Sequence, residues 1–474
     1  MDQPKSPLEN FGKNESIYKT LHERCSKWFV RHVENTAKSS RPSKPETTNF
    51  PYMPSPDILL IHLDALRVSL SRVKETSVRE IYKEFRRELE TRPASRTNGA
   101  SVGLGLGPES PSSSDNNDRN PTVHGVQYVF LLMGLLSMLY EPSLAPRDGR
   151  FDVVLSRPDG DSPRFSRQMK GQTEEVTDSL EVKDHESLSF YQLYASFGRR
   201  LPGASTTEQA TGSDTITASN IYYSNLRRVG KLRIEWVNDM LHHLDLDERN
   251  RTLRVFAYPS FCTLVCLSDP KSTSPLSKLM SHSHINPVSQ AEDGEEKGRH
   301  QFFDDYCREM LISFGIIFAQ ESGSRRAVRT EARSNWLRRW RADEKENTMG
   351  LSWAMIRQAD EIIWELCTRS WEENPLFNYL QSPPTRSNYS TQADFPFLGQ
   401  KLIRLQDYMN VQSPNDFRTL LFDRRDPLRF WTFVTAIGFG LASLALNTVT
   451  IALAAAQLRQ DASNTSGSNL TAGS

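Results

Sequence analysis

The sequence predicts an α+β fold, mostly α-helical, with a small antiparallel β-hairpin or meander, disordered insertions and one C-terminal transmembrane helix. Three observations carry that prediction. Apolar residues recur at three- and four-residue steps through much of the chain. One central region alternates apolar and polar residues. One stretch near the end, Phe430 to Leu458, runs 29 residues without a charge.

In chain order, Ile17, Leu21, Cys25, Trp28, Phe29 and Val33 define an amphipathic helix over 16–39. Leu59, Leu63, Leu66 and Leu70 define a second, after the prolines at 54 and 56. Val78, Ile81, Phe85 and Leu89 define a third, and residues 1–90 form a helical N-terminal module. Residues 91–122 turn to Ser, Pro, Gly, Asn and Asp, the composition of a disordered linker. An α+β domain follows over 123–410. Its opening stretch, Val126–Tyr140, is too short to span a bilayer and reads as a buried core helix. Polar segments near 156–186, 202–219 and 268–300 read as loops or disordered insertions. Between the first two, Leu188, Tyr191, Tyr194 and Phe197 predict a helix ending at Gly198.

The β signal runs from Leu232 to Leu267. Leu232, Ile234 and Trp236 alternate with Arg233 and Glu235, and Leu244 and Leu246 with Asp245 and Asp247. Glu248-Arg249-Asn250 is then the turn into Leu253, Val255 and Tyr258 and on to Phe261–Leu267. Helices are predicted over Phe302–Ala319, Thr330–Arg341 and Leu351–Trp371, and around Leu398, Leu402 and Leu405.

With 58 basic and 58 acidic residues the chain is neutral overall, which argues against nucleic acid as the main partner. Five scattered cysteines do not make a disulfide framework. The opening Met1-Asp2-Gln3-Pro4-Lys5 lacks the apolar core of a signal peptide.

Candidate chemistry is thin. Gly103 to Gly107 is glycine-rich but is followed by Pro108, with no Walker lysine. Cys262 and Cys266 with His282 and His284 have zinc-ligand content without finger spacing, and packed cysteines are the favoured reading. Ser260 lacks the glycines of a nucleophile elbow. Cys262 with His242 or His243, and Asp245 with Asp247, are pairs whose distances a sequence leaves open. No catalytic residue, metal ligand or cofactor is assigned.

The strongest soluble signal is basic. Arg325, Arg326, Arg329, Arg333, Arg338, Arg339 and Arg341 stand against one acid, Glu331, with Trp336, Leu337 and Trp340 among them. Such a helix suits an anionic lipid surface or a phosphate backbone. The favoured reading is plainer: arginines coat the outside while the tryptophans pack inward.

Arg418, Arg424, Arg425 and Arg429 in the juxtamembrane segment 411–429 outnumber Arg459 beyond the apolar stretch. Positive-inside bias therefore predicts a cytosolic N-terminal side for a span over 430–458. The short polar tail 459–474 predicts late, tail-anchored insertion, with an endomembrane such as the endoplasmic reticulum favoured. It also carries glycosylation acceptor triplets at Asn464 and Asn469. Within the span Ala436, Gly440, Ser443, Asn447, Thr450 and Ala454 share one stripe, a face on which two copies could pair.

Several fragments together resemble a set of uncharacterised filamentous-fungal proteins with a C-terminal hydrophobic anchor. They are Leu139-Tyr140-Glu141-Pro142, Phe197-Gly198 with Leu201-Pro202, Ile234-Glu235-Trp236-Val237, Leu253 to Phe256 with Pro259-Ser260-Phe261-Cys262, Asp394-Phe395-Pro396 with Leu398-Gly399, and Asp423-Arg424-Arg425-Asp426. The resemblance spans 126–458 and implies no activity. The expected role is a membrane-anchored, cytosol-facing adaptor with the bilayer and an unidentified protein as partners. An enzyme with a dispersed site, or a lipid- or nucleic-acid-binding module using Arg325–Arg341, are the alternatives.

Overall fold

The computed structural model describes residues 11–39, 55–73, 77–92, 121–143, 149–154, 177–197, 215–267, 302–341, 353–380, 382–412 and 427–468. Residues 93–120 of the linker and most of the three polar insertions lie outside these residues, as does 413–426 of the juxtamembrane segment. The chain divides into two compact units, Met1–Val411 and Gln412–Ser474.

Helix α1 (Phe11–Ser39) buries the predicted stripe of Leu21, Cys25, Trp28 and Val33 and leaves Ile17 exposed. Helix α2 (Pro56–Arg72) starts on a proline, whose missing N–H costs nothing in a first turn. Helix α3 (Val78–Thr91) is capped by the Ser77 hydroxyl, which accepts from the Glu80 N–H at 3.3 Å. Both bury their leucine, isoleucine and phenylalanine faces against α4 (Pro121–Ser137). Helix α4 is apolar on nearly every side, as a core helix should be. The N-terminal helices thus belong to the same unit as the domain that follows.

Strands β1 (Arg150–Val154) and β2 (Thr177–Glu181) pair antiparallel, Phe151 facing Leu180. The predicted loop over 156–186 is corrected here: its end is β2 and the short helix α5 (Val182–His185). Thr177, Asp178 and Ser179 hide a strand because β2 borrows its apolar face from Phe151 and Val153. Helix α6 (Phe190–Ser196) opens with a reciprocal Ser189–Gln192 capping box. Three residues of the predicted 202–219 loop form β3 (Thr215–Thr217), followed by α7 (Ala218–Ile221) and α8 (Tyr223–Arg228).

The central sheet also departs from the predicted meander. Strands β4 (Arg233–Val237), β5 (Leu246–Asp247) and β6 (Thr252–Phe256) lie in the order β4-β6-β5. The β5–β6 hairpin is antiparallel as predicted, its turn held by the Asn250 N–H donating to Asp247 Oδ1 at 2.9 Å. Strand β4, however, pairs in parallel with β6. The reason is burial. Leu253, Val255 and Phe256 are the most enclosed residues of this sheet, and the central position satisfies both backbone edges of the strand that carries them. Register then sets Glu235 opposite Arg254, whose Nε donates to it at 3.2 Å.

Phe261–Leu267 is helix, not strand. Pro259 ends the extended run and opens α9 (Pro259–Leu267), with Cys262 and Cys266 one turn apart. Helix α10 (Phe302–Phe314) continues into a buried π-helical turn, Gly315–Ala319. Gly315 is required there, because a Cβ would stand 2.2 Å from the Trp371 ring. That ring stacks on Phe377 at 4.4 Å.

Helix α11 (Ser322–Arg341) begins earlier than predicted. The single helix predicted over Leu351–Trp371 is two, α12 (Trp353–Ala359) and α13 (Glu361–Thr368), broken at Asp360. Trp353, Ile356, Ile363, Cys367 and Trp371 are buried as predicted. Helix α14 (Pro375–Tyr379), strand β7 (Asn388–Ser390), paired antiparallel with β3, and helix α15 (Gly399–Val411) complete the first unit.

Among its described residues the second unit holds one helix, α16 (Pro427–Ser468). Its stretch Val434–Gln460, 27 residues, is long and apolar enough to cross a membrane, and none of it is buried. Among the described residues it is the one such helix.

Candidate binding cleft

A cleft of about 470 Å³ opens in the first unit where four parts of the chain meet. Helix α1 supplies Trp28, Arg31, His32, Asn35 and Thr36, spaced so that all fall on one helical face. Leu135, Met138, Glu141 and Pro142 form the opposite wall at the exit of α4. Asn238 and Tyr258 stand just past the carboxyl ends of β4 and β6, and Gln358 and Ala359 close α12. The carboxyl edge of parallel strands is where ligands gather in open α/β sheets, because adjacent chains diverge there and leave a crevice.

The walls are braced. Met138, a buried non-glycine residue, is held at φ 51°, in the left-handed region that side chains disfavour. Its N–H donates to Gly134 O and its carbonyl accepts from Met240 N–H, both at 2.8 Å. This ties the end of α4 to the turn after β4. Strain of this kind persists only where surroundings over-determine it, and it collects at working sites.

Three rings form one wall. Trp28 and His32 stack at 5.3 Å, His32 and Tyr258 meet at 4.7 Å, and Trp28 and Tyr258 at 5.6 Å. Trp28 Nε1 donates to Ala359 O at 2.7 Å, fixing the indole to the end of α12. Burial among these rings pushes His32 down to about 4, so it is neutral at physiological pH. A hydrogen-bonded chain runs along the exposed side of the cleft. The Tyr258 hydroxyl donates to Asn238 Oδ1 at 3.1 Å, and Asn238 Nδ2 donates to Glu141 Oε1 at 3.0 Å. Burial first, then the negative charges of Glu141 and Asp360, push the Tyr258 hydroxyl up to about 12.

The other polar candidates are committed elsewhere. Ser260 donates through its hydroxyl to Asp360 Oδ1 at 2.7 Å and is buried, as a brace. His243 accepts from Phe256 N–H at Nδ1, leaving Nε2–H for Ser313 Oγ at 2.8 Å. His242 bonds Asp239 at 2.5 Å, so neither histidine forms a dyad with Cys262, which is buried beside Met310. Asp245 pairs with Lys401 at 2.7 Å while Asp247 closes its own turn, so the two carboxylates do not act together. His282 and His284 lie outside the described residues.

The arginine series divides. Arg329 donates to Thr368 O at 2.6 Å, capping α13, and Arg325 donates to Ala319 O, capping the π turn. Arg326 and Arg333 are exposed. Arg338, Arg339 and Arg341 lie on α11, and their side chains, like those of Trp336 and Trp340, are outside the described residues. On α16 the stripe of Ala436, Gly440, Ser443, Asn447, Thr450 and Ala454 is exposed throughout. Thr450 returns its hydroxyl to Leu446 O at 2.8 Å.

None of the cleft's hydrogen-bonded polar residues carries a functional signal in the sequence. Trp28 belongs to the predicted core stripe, and is buried, Tyr258 falls in the predicted strand run, and Asn238 carries no periodic signal. The one usable signal is position: polar residues directly after parallel strands, and the parallel pairing itself was not foreseen.

Fold and site together define a mostly helical α+β unit with a small mixed sheet and a braced aromatic cleft, followed by an apolar helix of membrane-crossing length. No family model, curated protein or solved structure matches the chain.

Proposed function

We propose that the chain is a single-pass, membrane-anchored interaction protein whose folded unit works at the cytosolic face. The carrying observation is the exposed apolar face of α16. Phe439, Leu441, Leu444, Leu446, Val449, Ile451, Leu453 and Leu458 are all exposed, whereas among the described residues of the first unit the exposed large apolar side chains are Ile17, Val30 and Val411. So long a run of exposed apolar side chains is unfavourable in water and is satisfied by lipid.

The excess of Arg418, Arg424, Arg425 and Arg429 over Arg459 supports a cytosolic N-terminal side. Tail-anchored insertion, an endomembrane address, a protein partner and pairing through the small-residue stripe belong to the same proposal. So does kinship with the filamentous-fungal set, which rests on the quoted fragments.

Protease protection of the doubly tagged full chain in sealed microsomes tests this reading. The N-terminal tag should be digested, the C-terminal tag protected, and the chain should resist carbonate extraction. Digestion of both tags, or release by carbonate, overturns it.

A further inference from the structure

The charged side chains that border the cleft, Arg31 and Glu141, are both committed. Glu141 accepts from Asn238 Nδ2 at 3.0 Å and takes a further interaction besides. Arg31, at the rim, stands 3.9 Å from the Glu361 carboxylate. His32 adds no charge at neutral pH, since burial holds it deprotonated. A cation entering the cleft meets no unclaimed carboxylate. An anion has to draw Arg31 away from Glu361 with Glu141 close by. Either ion gives up hydration without a free countercharge in return.

What stands open is neutral and two-sided. The His32 ring is fixed by its contacts with Trp28 and Tyr258, and its nitrogens hydrogen-bond to nothing among the described residues. A neutral imidazole carries one N–H donor and one lone pair. The carboxamides of Asn35, three residues further along α1, and of Gln358, at the end of α12, are exposed and also without a partner among the described residues. Each offers a donor and an acceptor. These groups border the ring wall, and the opposite wall of Leu135, Met138 and Pro142 is apolar.

We propose that this cleft binds a small neutral molecule, a flat aromatic body carrying a carboxamide. The body extends the wall of Trp28, His32 and Tyr258, where rings gain from offset or edge contacts, and lies against Leu135, Met138 and Pro142. The open polar groups are spread over two helices, His32 and Asn35 on α1 and Gln358 on α12. A carboxamide has its donor and its acceptor on separate atoms and so addresses both helices at once, which a single hydroxyl does not. A volume of about 470 Å³ falls in the range that encloses such a molecule.

The test uses the full chain in zwitterionic nanodiscs, with protein-free nanodiscs as the baseline for partitioning into lipid. Three probes of closely similar shape are titrated by calorimetry: indole-3-acetamide, indole-3-acetate and tryptamine. The amide should bind about tenfold tighter than either ion, the equivalent of roughly 1.4 kcal/mol. His32→Phe keeps a ring in the wall, removes the two nitrogens and should erase most of that preference. Asn35→Ala, at an exposed position where folding is not at stake, should reduce it. Either ion binding as tightly as the amide, no binding of any probe, or a preference that either variant leaves untouched overturns the proposal. The wild-type comparison needs no variant to fold. The readout is independent of topology, so failure here leaves the anchor reading standing.

Discussion

Asp360 offers the sharpest test of how the first unit is held together. The residue is fully buried at the break between α12 and α13, and its carboxylate gathers four donors. Ser260 N–H and Ile362 N–H reach it at 2.8 Å, the Ser260 hydroxyl at 2.7 Å and Ile363 N–H at 3.4 Å. One side chain thereby caps α13 and ties it to the start of α9. Asp360→Ala leaves at least three buried donors unpaired, each costing about 2 kcal/mol. An opposing effect is the charge itself: burial raises the carboxyl from 3.8 to about 6, so ionised Asp360 costs roughly 3 kcal/mol at neutral pH. The net loss expected for Asp360→Ala is about 3 kcal/mol at pH 7. Asp360→Asn, still a good cap and never charged, should lose less. The sign of the pH dependence follows. A carboxyl whose folded pKa lies above its unfolded one binds more protons in the native state, so its contribution to stability falls as pH rises from 3.8 to about 6. Urea denaturation of the full chain between pH 4 and pH 7, with hydrogen exchange at the Ser260, Ile362 and Ile363 amides, reads both effects. A loss under 1 kcal/mol in Asp360→Ala, or a pH slope unchanged in Asp360→Asn, refutes the reasoning.

Three further outcomes are expected. Gly315→Ala should destabilise by about 1–3 kcal/mol through collision with the Trp371 and Phe377 stack, measured as a lower Tm, and Trp371→Leu should relieve part of that loss. Leu446→Arg, at an exposed position within the apolar stretch, should cost about 3 kcal/mol of insertion and release the chain on carbonate extraction. Arg329→Ala should lower stability by about 1–2 kcal/mol by freeing the Thr368 carbonyl, whereas Arg326→Ala should leave Tm unchanged. If both act alike on liposome flotation and neither on Tm, the series is a surface device and not a pair of caps.

Elements with an apolar face of their own were legible. Helices α1 to α3 and α10 follow periodicity because each buries a continuous stripe, while α4 shows as an unbroken apolar run, and neither pattern needs a partner to be seen. Strand β2 was not legible, since Thr177, Asp178 and Ser179 carry no stripe and the strand exists by pairing with Phe151 and Val153. The break at Asp360 was missed for a similar reason. A lone aspartate inside an apolar helix pattern reads as surface until its donors arrive from Ser260, a hundred residues away in the chain.

By itself the sequence determined the mainly helical class, the core stripes, the β5–β6 hairpin and an apolar helix long enough to cross a membrane. These depend on local periodicity and length, which one strand of text records. Only the tertiary structure decided that β4 runs parallel to β6, that Arg325 and Arg329 cap helices, and that Glu141, Asn238 and Tyr258 join with Trp28 and His32 around one cleft. Those features are relations between residues distant in the chain; the sheet order, for one, is set by which strand carries Leu253, Val255 and Phe256 and so takes the central place with a partner on each side, and spacing along the sequence does not encode it.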